Sequence, residues 1–444
     1  MKFRSVLGKS PSVGFRDALF QGMAPDGSLY IPEHLPALPF SFLAGFEDRT
    51  LHEIGFHVTS AFIDEIPPAD LHDIVHHAWD FPIPLVKLED KLFLLELFHG
   101  PTLAFKDVGA RFMAHVLSYF LAQEKRHLSI VVATSGDTGS AVAHGFFNVP
   151  RITVFILYPS AKISPLQEQQ MTTLGHNIQA LEVEGTFDDC QQLVKQALAD
   201  TDVAKARSLT TANSINLGRL IPQIAYYVWA AARFKVELQQ VDNLKELTSQ
   251  PTVVVPSGNF GNLTAAAYSK RMGNPIGHLI AATNVNAIVP DYFRSGSYSP
   301  RPSQQTYSNA MDVGDPSNFV RIQALYDYNL RRMQNDISAV SISDDETLAE
   351  IRRAYEKTGY VLDPHTAVGV TAARTAQSTR VRSPSAIVMA TAHPGKFPDV
   401  VEKALNIQIP LPFPLQEALN RPKMSIRIRA EYPAWKEILL QHTS

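Results

Sequence analysis

The chain has 444 residues, 45% of them hydrophobic and 19% charged, with a formal net charge of −3, the balance of a globular protein with a substantial core. With no basic run it is not built for nucleic acid or an anionic membrane surface, and no stretch reaches the roughly eighteen uninterrupted apolar residues of a membrane span. A single cysteine, Cys190, excludes an intramolecular disulfide and any multi-cysteine metal site. The N-terminus lacks the apolar block of a signal peptide, so a cytoplasmic protein is expected.

Residues 1–80 read as a helical, loop-rich entry segment, in which "DGSLYIPEHLP" is a turn leading into an extended piece. From about residue 80 the pattern becomes strand, loop, helix, repeated. "HLSIVVAT" (127–134), "RITVFILYP" (151–159), "NIQALEVEG" (177–185), "PTVVVP" (251–256), "GHLIAATN" (277–284) and "SAIVMATA" (385–392) are short apolar, β-branched runs, and the first four lead into helical patterns. Continuous apolar strands alternating with helices predict parallel sheets covered on both faces. The polar stretch 291–320 predicts a long surface loop, a length often used for lids. Residues 321–360 return to helix, and "DDETLAEIRRAYEKTG" carries a capped start and a glycine stop.

Two strand-to-helix turns have the composition of anion sites. "VVVPSGNFGNLTAAAY" places Ser257, Gly258, Asn259, Gly261 and Asn262 at a helix start, and "VVATSGDTGSAVAHGF" repeats the arrangement with Ser135, Gly136, Asp137, Thr138 and Gly139. Backbone N–H groups converge there and the helix dipole adds positive potential. Neither turn is a P-loop or a dinucleotide fingerprint, and either alone is compatible with a tight connection. In "LELFHGPTLAFKDVGARFMAHVLSYF", Lys106 opens a third helix within an apolar run. Burial and the helix N-terminus both disfavour its cation and favour a nucleophilic amine. The bland alternative is a packed stem whose head reaches water or pairs with Asp107. A phosphorylated cofactor and an amino-acid carboxylate together require two anion cradles and one amine.

"FHGPTLAFKD" resembles the lysine motif of the threonine synthases, pyridoxal-phosphate enzymes of the tryptophan synthase β-like fold. "ATSGDTGSA", "PSGNFGN", "NSINLGRLIPQ" and "TAHPGKFPD" resemble further motifs of that family in the same order, and "FRDALFQGMAPDGSLYIP" resembles its beginning. The resemblance spans about Phe15 to Asp399 and is to the enterobacterial and fungal group, so activation by S-adenosylmethionine is not expected. It implies an α/β enzyme of fold type II with two parallel-sheet domains. The expected organisation is a helical segment at 1–80, a large cofactor-binding domain from 81–120 and 216–430, and a small domain at 121–215.

Carried over by position, the resemblance implies that Lys106 forms the covalent imine with pyridoxal 5'-phosphate and moves protons during catalysis. Gly258, Asn259, Phe260, Gly261 and Asn262 would hold the cofactor phosphate. Ser135, Asp137 and Thr138 would face the substrate carboxylate and the phenolic oxygen of the ring. Thr391 would face the pyridine nitrogen, where a hydroxyl makes the ring a weaker electron sink than a carboxylate does and suits eliminations. Ser214, Asn216, Arg219 and Lys396 are candidates for the substrate phosphate, since a dianion calls for charged donors. The implied reaction converts O-phosphohomoserine and water to threonine and phosphate, by a monomer or homodimer. The alternatives are a phospho-lyase giving 2-oxobutyrate from O-phosphohomoserine or O-phosphothreonine, a serine or threonine dehydratase, and a non-catalytic phosphate-binding relative.

No metal is expected. His52 and His57 lack the zinc-helix spacing, and His72 and His76 lack an acidic or cysteine partner. His99 and His393 fall inside motifs and are read equally as ring contacts or as loop residues, and Cys190 as a packing residue.

Overall fold

The computed structural model describes residues 1–124, 126–239, 250–378 and 384–441. Two large sheets carry the architecture. A six-stranded sheet runs Ile337–Ser341, Leu279–Thr283, Thr252–Pro256, Ala386–Ala390, Leu92–Glu96 and Leu85–Glu89 from edge to edge. All its neighbours are parallel except the last pair. A five-stranded, all-parallel sheet runs Ile426–Arg429, Ile178–Glu184, Ile152–Pro159, Leu128–Ala133 and Leu209–Thr211. Every residue of Leu128–Ala133, Thr252–Pro256, Leu279–Thr283 and Ala386–Ala390 is buried. This is the consequence of helices on both faces, and it is why these strands read as unbroken apolar runs.

The entry segment holds the helices Phe15–Gln21, Leu51–Ser60 and Pro68–Ala78, and a small antiparallel pair, Phe3–Ser5 with Tyr30–Pro32. Leu51–Ser60 starts on a capping box in which Thr50 and Glu53 satisfy each other's backbone N–H. The helix Leu217–Gln239 buries 17 side chains, packs on Lys106–Glu124 and Gly261–Arg271, and joins the two sheets into one core. Among the described residues no helix is long and apolar enough to cross a membrane.

Four departures from the sequence expectations have local causes. The strand Ile337–Ser341 interrupts the predicted helical stretch 321–360. It lies at a sheet edge with a mixed burial pattern, so no apolar run marks it. The helix Ile288–Ser295 runs into the predicted loop 291–320. The hairpin Leu85–Glu89/Leu92–Glu96 was not signalled, because a left-handed Lys91 rather than a glycine turns it. The C-terminal strand Ile426–Arg429 pairs with Ile178–Glu184, so a stretch expected in the large domain completes the five-stranded sheet instead.

That C-terminal return is anchored by Trp435, fully buried with its ring 5.4 Å from Phe155, and by Tyr432 and Lys436, which both reach Asp200. Trp435→Ala is expected to lower stability by about 3–5 kcal/mol, read as a lower midpoint of urea unfolding. An unchanged midpoint would show that the return contributes nothing.

Candidate active site

The strand ends place the site. The C-terminal ends of Leu92–Glu96, Leu128–Ala133, Thr252–Pro256 and Ala386–Ala390 all lead into one cavity, where parallel α/β sheets characteristically bind ligands.

After Leu92–Glu96 the chain is stitched to the end of the neighbouring strand. Leu97 N donates to Ala390 O (2.9 Å), Phe105 N to Thr391 O (2.9 Å) and His393 N to Leu103 O (3.0 Å). Leu103 is held at φ 59°, a conformation unfavourable for a branched side chain. Lys106 then opens the helix Lys106–Glu124 with its side chain directed into the cavity. The suggested pairing with Asp107 does not occur. Asp107 is buried and turns back to Thr102, accepting from its N–H (2.9 Å) and its hydroxyl (2.6 Å). Burial pushes the Asp107 carboxyl up to about 6 against the pull of those bonds.

The carboxylate facing Lys106 is Asp137, with Oδ2 3.6 Å from Nζ. On its other oxygen Asp137 receives Lys396 Nζ at 2.9 Å and Gln167 Nε2 at 3.0 Å. Burial would raise the Asp137 carboxyl, but the Lys396 and Lys106 ammoniums outweigh it and hold it well below the usual carboxylate range. Burial lowers the Lys106 amine. Asp137 opposes that shift, and the positive charges of Lys396 and Arg219 reinforce it.

Gly136 caps the helix Asp137–Phe146 at φ +143°, and a Cβ there would lie 2.6 Å from the Gln167 amide, so no other residue fits. Ser135 and Thr138 line the cavity on this side. On the opposite wall the helix Gly261–Arg271 presents its first turn, whose N–H groups have no intrahelical acceptors. Phe260 rather than a glycine takes the left-handed conformation there (φ 60°). Gly258 is needed for close approach, since a Cβ would lie 2.7 Å from Met311 Cα. Asn262 accepts on Oδ1 from both Tyr226 and Tyr227 hydroxyls, while its buried Nδ2 has no partner. A buried orphan donor beside a helix N-terminus fits a phosphate group.

Gly258, Asn259, Phe260, Gly261, Asn262, Ser214, Arg219 and Thr391 all line the same cavity as Lys106. Arg219 is buried rather than on a helix surface. Its Nη1 donates to Ala212 O and its Nε is unpaired. Burial lowers its guanidinium to about 10. Two candidates stand apart. Asn216 is fully buried outside the cavity, its amide donating to Leu19 O and Thr211 O and its oxygen accepting from Gly218 N, all at 2.9 Å. That closed set corrects its assignment to substrate. Lys396 is equally covered, bound to Asp137 and to Thr102 O (2.8 Å), and faces no open space.

His99 pairs with Glu96 and His393 accepts from Gly395 N, and neither lines the cavity. The histidine that does is His365, which the sequence did not single out. Ala310 N donates to its Nε2 (3.1 Å), so its proton sits on Nδ1 toward Asp363 Oδ1 (3.0 Å). Its only local signal is the "DPH" helix start at 363–365, which resembles any capped helix. Gln167 and Gln223 were likewise unmarked. Among the described residues no three His, Cys, Asp or Glu side chains gather to hold a metal.

Comparison with known proteins gives this arrangement a family context. Residues 80–391 match the family described as pyridoxal-phosphate dependent enzyme, residues 2–79 the threonine synthase N terminus, and residues 366–439 the threonine synthase C-terminal family. The chain is 39% identical to the threonine synthase of Escherichia coli, with 100% of each chain covered. It is 35% identical to that of Schizosaccharomyces pombe, over 91% of this chain and 90% of the relative. Its structure is similar to the crystal structure of threonine synthase from Escherichia coli (TM-score 0.91, 38% identity, 100% of both chains). It is also similar to the pyridoxal-phosphate-bound threonine synthase of Brucella melitensis (TM-score 0.90, 37% identity, 100% of this chain and 99% of that one).

The orphan amide of Asn262, the free N–H groups at Gly261 and the amine of Lys106 fit pyridoxal phosphate. Asn262→Leu removes that amide and the acceptor shared by two tyrosines. It is expected to weaken cofactor binding at least about tenfold in equilibrium dialysis, and unchanged affinity would show that the amide does not contact the cofactor.

Proposed function

The chain belongs to the threonine synthase family of pyridoxal-phosphate-dependent enzymes, and from that premise we propose that it converts O-phospho-L-homoserine and water to L-threonine and phosphate with Lys106 as the catalytic amine. The observation that carries this reading is a lysine opening a helix in a cavity that also presents an unpaired Asn262 amide beside the first turn of Gly261–Arg271. The bound cofactor supplies an aldehyde for an amine to condense with and a ring that accepts electron density from the substrate.

The rest is the work of the chain's own side chains. Lys106, with its proton affinity reduced by burial, takes and returns protons at the substrate's Cα and Cβ. Arg219 and Ser214 receive the phosphate that leaves Cγ, a role supported by the unpaired Nε of the buried Arg219 in the cavity wall. Ser135 and Thr138 orient the substrate carboxylate beside the N-terminus of Asp137–Phe146. Thr391 offers a hydroxyl rather than a carboxylate to the ring nitrogen. The proton lost from Cβ is balanced by one delivered to Cγ, which becomes the methyl group, while the hydroxyl of water adds at Cβ and the remaining proton of water leaves with the phosphate. We take the enzyme to act in the cytoplasm, as a monomer or homodimer; a single, buried cysteine is in keeping with a reducing compartment.

Incubation of the loaded enzyme with O-phosphohomoserine is expected to release threonine and phosphate in equal amounts, and 2-oxobutyrate as the main product would assign the chain to phospho-lyase chemistry instead. Lys106→Ala is expected to lower turnover by at least ~10³-fold. Threonine formation at the original rate would remove Lys106 from its role.

A further inference from the structure

We propose that Lys396 is a positioning residue: it holds the Asp137 carboxylate on its far oxygen and so leaves the Lys106 amine the longer and weaker of that carboxylate's two ion pairs. The inference rests on the reading of Lys106 as the cofactor-bearing amine and adds a second lysine that touches neither cofactor nor substrate.

Charge and distance carry it. Three basic side chains converge here, Lys106, Lys396 and Arg219, against two carboxylates, Asp107 and Asp137. Buried charges require partners, so one cation is in surplus. Lys396 is fully covered and has two acceptors, Asp137 Oδ1 at 2.9 Å and Thr102 O at 2.8 Å. Asp107 is the carboxylate whose charge acts on Arg219. Lys106 reaches Asp137 Oδ2 at 3.6 Å, a longer ion pair than that of Lys396, while Gln167 Nε2 also donates to Oδ1 at 3.0 Å. Lys106 is therefore the cation to give up its proton.

The other charged groups facing the cluster have partners of their own: Arg111, whose charge also acts on Asp107, pairs with Asp80 Oδ2 at 2.8 Å. His365 is engaged by Asp363 and Ala310 N. His144 is bonded to Gln170 O, and burial lowers it to about 4, so it is neutral at working pH.

Without Lys396, the Asp137 charge would fall to Lys106 alone and hold its proton. The proton affinity of Lys106 thus depends on a residue outside the cavity.

The test uses the full chain freed of cofactor and an amine-acylating reagent. Labelling of the Lys106 peptide is followed by mass spectrometry across pH. In Lys396→Met the pH midpoint for Lys106 is expected to rise by about one pH unit or more. In Lys396→Met/Asp137→Asn, where both charges are gone, it is expected to return to within about half a unit of the original value. A purely structural role for Lys396 would not be relieved by changing Asp137. An unchanged midpoint in the single variant, or no return in the double variant, overturns the proposal. Should the single variant fail to fold, the double variant is expected to recover the fold, because Asp137 then needs no cation, and an unfolded double variant also overturns it. Failure of the unaltered chain to take up pyridoxal phosphate at Lys106 would strike the underlying reading instead.

Discussion

Asp137 stands between two lysine side chains, 2.9 Å from Lys396 and 3.6 Å from Lys106. That unequal sharing of one buried carboxylate organises the site. A charge of either sign taken from water is costly unless compensated, and the nearer ammonium receives most of the compensation. The farther one is left buried at a helix start, where desolvation and the helix dipole both lower its proton affinity. Many lysines sit at helix starts without consequence. This one is set apart by what surrounds it.

The fold makes the arrangement rigid. The loop before Lys106 is hydrogen-bonded along the end of Ala386–Ala390, so the amine and Thr391 are fixed in one frame. The long polar segment after Ile288–Ser295 is held just as firmly, although it has little regular structure. Asp312 accepts from Thr306 and Asn284, Asn286 reaches Gln304 O, and Ser317 N donates to Asn259. Asn318 bridges to Ser214, and Arg321 ties it to Tyr30 O in the entry segment and to Ile215 O. The later part of this stretch is therefore a wall of the cavity, which Ala310, Met311 and Val313 line, while residues 299–305 are exposed.

Much of this was legible in the sequence where the cause is local. Strands buried on both faces read as apolar runs, and the glycines mark a positive φ at Gly136 and a close backbone approach at Gly258. Those turns and Lys106 do converge on one cavity. What the sequence could not express is long-range pairing. Ile426–Arg429 has one buried residue in four and gains its strand identity only from Ile178–Glu184. Asn216 and Arg219 lie three residues apart in one motif, yet the first closes hydrogen bonds within the framework and the second opens onto the cavity. Lys396 is a candidate for the substrate phosphate in the sequence because a dianion calls for charged donors, whereas its burial behind Asp137 depends on a contact across 259 positions of sequence. His365 was missed for the same reason.

Borohydride reduction of the protein loaded with pyridoxal phosphate, followed by peptide mapping, tests the central claim most directly. The account requires a single reduced adduct, on the peptide that contains Lys106 and on its side-chain nitrogen. An adduct on Lys396 or any other lysine, or none at all, would contradict it.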